Sequence, residues 1–135
     1  MKMTKKKILL AEDDEDDRLL FSNFLKERDD FVLVQTCENG MEVLEFLNNL
    51  PNEADFPDLV VLDQNMPKMN GSQTLQLLKN VPRLSKIPVA MYTTYTDKRL
   101  MDECYLAGAL TVLTKPISLN GYHQMMNDLN QLIRN

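Results

Sequence analysis

Five short apolar runs alternate along this chain with longer stretches in which apolar side chains recur every three or four positions. The runs fall at 7–12, 31–36, 58–62, 88–93 and 110–114. They are nearly continuous in apolar residues instead of alternating, which is the pattern of strands covered on both faces. The periodic stretches predict helices over 15–28, 39–49, 72–80, 97–107 and 118–133. The last is the clearest, with Tyr122, Met125, Met126, Leu129, Leu132 and Ile133 forming one stripe. Asp14 is placed to cap the first helix, and Glu38 or Asn39 the second.

Five repeats of strand then helix imply an α/β fold, a parallel sheet with helices on both faces and right-handed crossovers. For five strands the common order is 2-1-3-4-5, with a switch point between strands 1 and 3. Polar residues stand where four of the runs end. Glu12 and Asp13 follow Ile8-Leu9-Leu10-Ala11, and Asp63 follows Leu59-Val60-Val61-Leu62. Thr93 closes Val89-Ala90-Met91-Tyr92, and Lys115 with Pro116 closes Thr111-Val112-Leu113-Thr114. Ligands of such sheets bind beyond the carboxyl ends of the strands. Three carboxylates, a hydroxyl and an ammonium are therefore expected on one edge, a set able to hold a divalent cation and a phosphoryl group together. Lys115-Pro116 is also a candidate cis peptide, since such bonds are nearly confined to X-Pro.

Composition narrows the field. With 135 residues and no linker, repeat or low-complexity segment, the chain reads as a single domain over 1–135, its core about 6–133, with no output domain. A net charge of −5 argues against a nucleic-acid partner. The one basic cluster, Lys2, Lys5, Lys6 and Lys7, reads as a solvated N-terminal arm. The apolar stretch behind it stops at Glu12, too short for a signal peptide, and no run approaches the ~20 apolar residues of a membrane span. Cys37 and Cys104 are too few for a disulfide framework and lack zinc-site spacing, and His123 stands alone. A cytoplasmic protein is expected.

Residues 12–17 are six consecutive acids. Asp14 to Asp17 need no further explanation, because acids complement the dipole at a helix N-terminus. Glu12 and Asp13 end the strand instead, where like charges are costly unless a cation neutralises them. Oxygen-only ligands favour a hard ion such as Mg2+. Asp63 is either a solvated acid before a Pro/Gly turn or a carboxylate nucleophile that forms an aspartyl-phosphate. In the second case the cation and Lys115 would spread the charge on the transferring oxygens. Thr93 and Lys115 also have ordinary readings, as a β-branched strand end and a surface lysine. The order and spacing of all four sites carry the functional reading.

Those sites, with Asp63-Gln64-Asn65-Met66-Pro67, Asn70-Gly71, Met91-Tyr92-Thr93-Thr94, Glu38-Asn39-Gly40 and Ala107-Gly108-Ala109, resemble response-regulator receiver domains over about residues 6–133. The chain is similar to the bacterial chemotaxis response regulator. In detail it looks most like small stand-alone regulators paired with phytochrome-type histidine kinases. The resemblance implies a flavodoxin-like doubly wound fold and makes Asp63 the phosphoacceptor. It implies Mg2+ held by Asp13, Asp63 and the backbone carbonyl of Asn65, with Glu12 acting through water, and Thr93 and Lys115 contacting the phosphoryl group. It further implies a sensor histidine kinase or histidine phosphotransfer protein as donor, and a downstream protein as target. The face of the fourth helix, fifth strand and fifth helix would be the readout surface, with Leu100, Met101, Tyr105, Val112 and Tyr122 as its candidate contacts, the alternative for some of them being the core, and a homodimer as one use of it. Two positions depart from the pattern. Glu12 stands where Asp is common, and Val112 where many receivers carry a switch Tyr or Phe, so that movement is either missing here or replaced, with Tyr92 or Tyr95 as the replacement. The competing readings are a receiver that binds partners without phosphorylation and an Asp-nucleophile phosphohydrolase. The latter resembles the haloacid dehalogenase group, which places an acid where this chain has Asn65.

Overall fold

The computed structural model describes residues 4–133. Its elements in chain order are β1 (Lys6–Ala11), α1 (Glu15–Leu25), β2 (Phe31–Cys37), α2 (Gly40–Asn48), a 3-10 turn (Glu53–Asp55), β3 (Leu59–Asp63), α3 (Gly71–Asn80), β4 (Val89–Thr93), α4 (Lys98–Ala107), β5 (Thr111–Thr114) and α5 (Leu119–Leu132). The sheet runs β2-β1-β3-β4-β5 with every neighbouring pair parallel. This is the doubly wound arrangement that the alternation of runs predicts.

Strand alternation divides the core into two layers. Ile8, Leu10, Leu59, Val61, Ala90 and Tyr92 pack under α1 and α5, against Phe21, Phe24, Tyr122, Met126 and Leu129. Leu9, Ala11, Val60, Leu62, Val89 and Met91 pack under α2, α3 and α4, against Val43, Leu47, Leu75, Leu78 and Cys104. Each fully buried aliphatic side chain contributes about 1.5–3 kcal/mol relative to exposure. The sheet is therefore anchored from both sides, and its carboxyl edge is a rigid platform.

Four expectations change. β2 is an edge strand, so Val32 and Val34 are exposed and it is not covered on both faces. Its register against β1 passes from Ile8–Leu33 to Leu9–Gln35, which leaves Val34 as an extra residue. Such a bulge twists an open edge and discourages further strand pairing. Lys6 and Lys7 are not a solvated arm: they begin β1, with Lys6 Nζ donating to Asn130 Oδ1 (2.6 Å) and Lys7 Nζ to the Ala54 carbonyl (3.1 Å). Lys2 of that cluster lies outside the described residues. α1 stops at Leu25 instead of 28, because Glu27 and Arg28 N–H groups turn back to Phe24 and Leu25 and the Arg28 side chain is committed to Asp30. Finally, no peptide bond among the described residues is cis, Lys115-Pro116 included. β5 runs straight on at that point, with Lys115 N–H donating to the Thr93 carbonyl (2.8 Å).

Candidate functional site

The chain leaves β1 at Glu12, whose N–H donates to the Cys37 carbonyl at 2.8 Å, as if to add one more rung to the sheet. Asp14 then caps α1 by accepting from Asp17 N–H (3.0 Å) and itself donates from its backbone to Glu12 Oε2 (3.1 Å). Arg18, one turn into α1, reaches back and donates to the carbonyls of Glu12 (2.8 Å) and Asp13 (2.9 Å). The acidic corner is thus fastened from behind by a cation before any ligand is considered.

β3 delivers Asp63, and the following loop is drawn tight. Asn70 caps α3 in a reciprocal arrangement with Gln73 (2.9 and 3.0 Å). At Gly71 a side chain would stand 2.5 Å from the Asp63 carbonyl, so only glycine lets α3 start this close to the end of β3. Lys68, in the same loop, takes a left-handed backbone (φ 65°), a conformation that costs a non-glycine residue about 1–2 kcal/mol. Asn65 follows two residues after Asp63, its N–H 3.4 Å from Asp63 Oδ1.

The strand ends meet as their order requires. Carboxylate oxygens of Glu12, Asp13 and Asp63 lie within 4.8 Å of one another; Glu12 and Asp63 are buried and Asp13 is exposed. Lys115 Nζ lies 2.5 Å from Glu12 Oε1, 3.0 Å from Asp17 Oδ2 and 3.4 Å from Asp63 Oδ2. It also sits 5.2 Å above the Tyr92 ring. Burial, reinforced by nearby Asp63 and opposed by Lys115, pushes the Glu12 carboxyl up to about 7. Burial alone would lower Lys115, but its bonds to Glu12 and Asp17 and the field of Asp63 outweigh that and raise it. Thr93 ends β4 fully buried, and its hydroxyl has no partner among the described residues.

An all-oxygen triad of this size suits a hard divalent cation. A buried hydroxyl with unused hydrogen-bonding capacity, on the strand end whose carbonyl accepts from Lys115 N–H, is suited to an anion. The two halves adjoin at Asp63.

Sequence reasoning overlooked Asp17 and Arg18. Asp17 was accounted for by the helix dipole, yet it also reaches the site lysine. No helical spacing marks it, because Asp13 precedes the cap Asp14 and shares no helix face with Asp17. Two other expectations shift. Of the candidate readout contacts, Tyr122, buried against Phe24 (centroids 5.2 Å apart), and Val112 belong to the core and not to an exposed face. Tyr92 is locked against Phe21 (5.8 Å), whereas Tyr95 is 79% exposed. A cavity of about 660 Å3, bordered by Lys6, Asp58 and Arg83, lies near the start of β1, away from this cluster.

A model of the response regulator receiver domain matches residues 8–127. A protein-glutamate methylesterase/protein-glutamine glutaminase of Methanococcoides burtonii is 30% identical over 131 residues, which are 96% of this chain and 35% of that protein. The chain thus spans about a third of the length of that curated relative. Among solved structures, the phosphorylated cyanobacterial phytochrome response regulator RcpA is 29% identical, with a TM-score of 0.80 over 95% of this chain and 93% of that one. A response regulator crystallised in its Mn2+-bound form is also 29% identical, with a TM-score of 0.77 over 93% and 92% of the two chains.

Proposed function

The chain belongs to the response-regulator receiver family, and from that membership we propose that Asp63 is its phosphoacceptor, Mg2+ its cofactor and a histidine kinase or phosphotransfer protein its donor. The observation that carries this reading is the meeting of two half-sites on one carboxylate. Asp63 shares the 4.8 Å acidic triad with Glu12 and Asp13, and it also lies 3.4 Å from Lys115 Nζ. A carboxylate oxygen of Asp63 forms a P–O bond while the P–N bond of the donor's phosphohistidine breaks, and the electron pair leaves with the imidazole nitrogen. Asp13, Asp63 and the Asn65 carbonyl would hold the ion, with Glu12 acting through water. When bound, Mg2+ supplies charge neutralisation at the transferring oxygens. Lys115 and the Thr93 hydroxyl donate to those oxygens and hold them afterwards.

The product is a modified protein and not a released compound, so the domain acts as a signalling switch. Its readout is proposed at the edge formed by α4, β5 and α5, facing a downstream protein or a second copy of the chain, in the cytoplasm. No described helix is long and apolar enough to cross a membrane. The proposed test is labelling with a small phosphodonor in the presence of Mg2+, followed by mass spectrometry. The phosphoryl group is expected on the peptide containing Asp63 and absent from Asp63→Asn. A label on another peptide, or an unimpaired Asp63→Asn protein, would sink the assignment.

A further inference from the structure

An ammonium has three protons to donate, and Lys115 has three carboxylate partners: Glu12, Asp17 and Asp63. Its capacity is already filled in the described state. To reach a phosphoryl oxygen on Asp63 it must give one partner up. The three are not equivalent. Glu12 is fully buried, and stripping it of its ammonium would leave a buried carboxylate unpaired. Asp63 is the residue being modified. Asp17, on the first turn of α1, keeps 37% of its side chain exposed, so water can replace the ammonium there at the least cost.

From this asymmetry, and resting on the phosphoacceptor reading above, we propose that Asp17 is a positioning residue that competes with the phosphoryl group for Lys115. The resting state holds the ammonium between α1 and the strand ends, and the switched state releases the α1 side of that contact. Asp17 therefore sets how readily the site accepts an anion, without touching the phosphoryl group itself. It also links the switch to the start of α1, an element separate from the proposed readout edge. Arg18, the next residue, fastens the same turn to the carbonyls of Glu12 and Asp13. Release of Asp17 therefore leaves the corner itself in place.

The test is calorimetric titration with the phosphoryl mimic beryllium fluoride at saturating Mg2+. Asp17→Ala should bind it more tightly, by roughly two- to fivefold, the scale of a partly exposed ion pair. Asp17→Asn should shift in the same direction, and Asp17→Glu, which restores the charge, should return toward the parent. Asp16→Asn is the control for simple charge removal, because Asp16 is an exposed acid on the same turn; it should leave affinity unchanged. Equal or weaker binding by Asp17→Ala, or an equal gain from Asp16→Asn, overturns the competition while leaving the phosphoacceptor reading intact. A parent protein that binds no mimic overturns the phosphoacceptor reading, and the role of Asp17 falls with it.

Discussion

Lys115 and Glu12 are joined at 2.5 Å although their strands, β5 and β1, are separated in the sheet by β3 and β4. One ion pair therefore spans four of the five strand ends. Lys115→Met would leave Glu12 buried without its cation, and losing one partner of a buried pair is strongly destabilising. Urea unfolding at pH 8 without metal should show a loss of about 3 kcal/mol. A loss of only a few tenths of a kcal/mol, the range of an exposed pair, would mean that Glu12 does not depend on Lys115.

Glu12 also predicts the shape of the pH profile. Its folded-state value of about 7 lies above the ordinary 4.5, so the folded protein holds a proton that the unfolded chain has released. Stability should therefore fall as pH rises from 4.5 to 7 and level off above, with a slope of at most about 1.4 kcal/mol per pH unit. Glu12→Gln should flatten that window. Saturating Mg2+ should reverse the slope, because the ion favours the ionised carboxylates. A parent slope that survives in Glu12→Gln would assign it to another group.

Metal should raise the melting temperature of the parent by mass action, equivalent to about 2.7 kcal/mol at a hundredfold excess over Kd. Asp13 is the exposed member of the triad, so Asp13→Ala removes a ligand without opening a cavity. Most of the Mg2+-dependent gain should vanish in that variant. Equal responses of variant and parent in differential scanning calorimetry would refute the metal assignment.

The readout is expected to travel through the loop 94–98. Val112 is too small to act as an aromatic rotor, and its N–H donates to the hydroxyl of Tyr105 (3.2 Å), which fixes α4 to β5. Tyr95 is exposed, and Thr96 Oγ1 lies 3.4 Å from Thr114 Oγ1. Amide exchange with beryllium fluoride should slow in 94–98 and change at Val112. Protection confined to 63–70, with 94–112 unmoved, would place the signal elsewhere.

The fold was legible because parallel strands buried on both faces are written as unbroken apolar runs. β3 and β4 are buried along their entire length. β2 was misread as equally covered for the same reason, since Val32 and Val34 on an open edge spell the same letters as a core strand. The convergence of Glu12, Asp13, Asp63 and Lys115 followed from strand order alone, each being attached to a strand end. Asp17 did not, because a helix-terminal acid already had a sufficient local cause and its partner lies 98 residues away. Tyr122 shows the converse limit: its place on the α5 stripe was visible, but which neighbour the stripe covers depends on how α1 and α5 share a face.

β4 places Tyr92 and Thr93 on opposite faces of the sheet, one locked into the α1–α5 layer and the other ending the strand beside Lys115. A slip of one residue in its pairing with β3, now Val60–Val89 to Asp63–Tyr92, would turn each of them to the opposite face. The α1–α5 layer would lose its aromatic ring and the strand end its hydroxyl in the same move. The same register that completes the hydrophobic layer therefore assembles the chemistry.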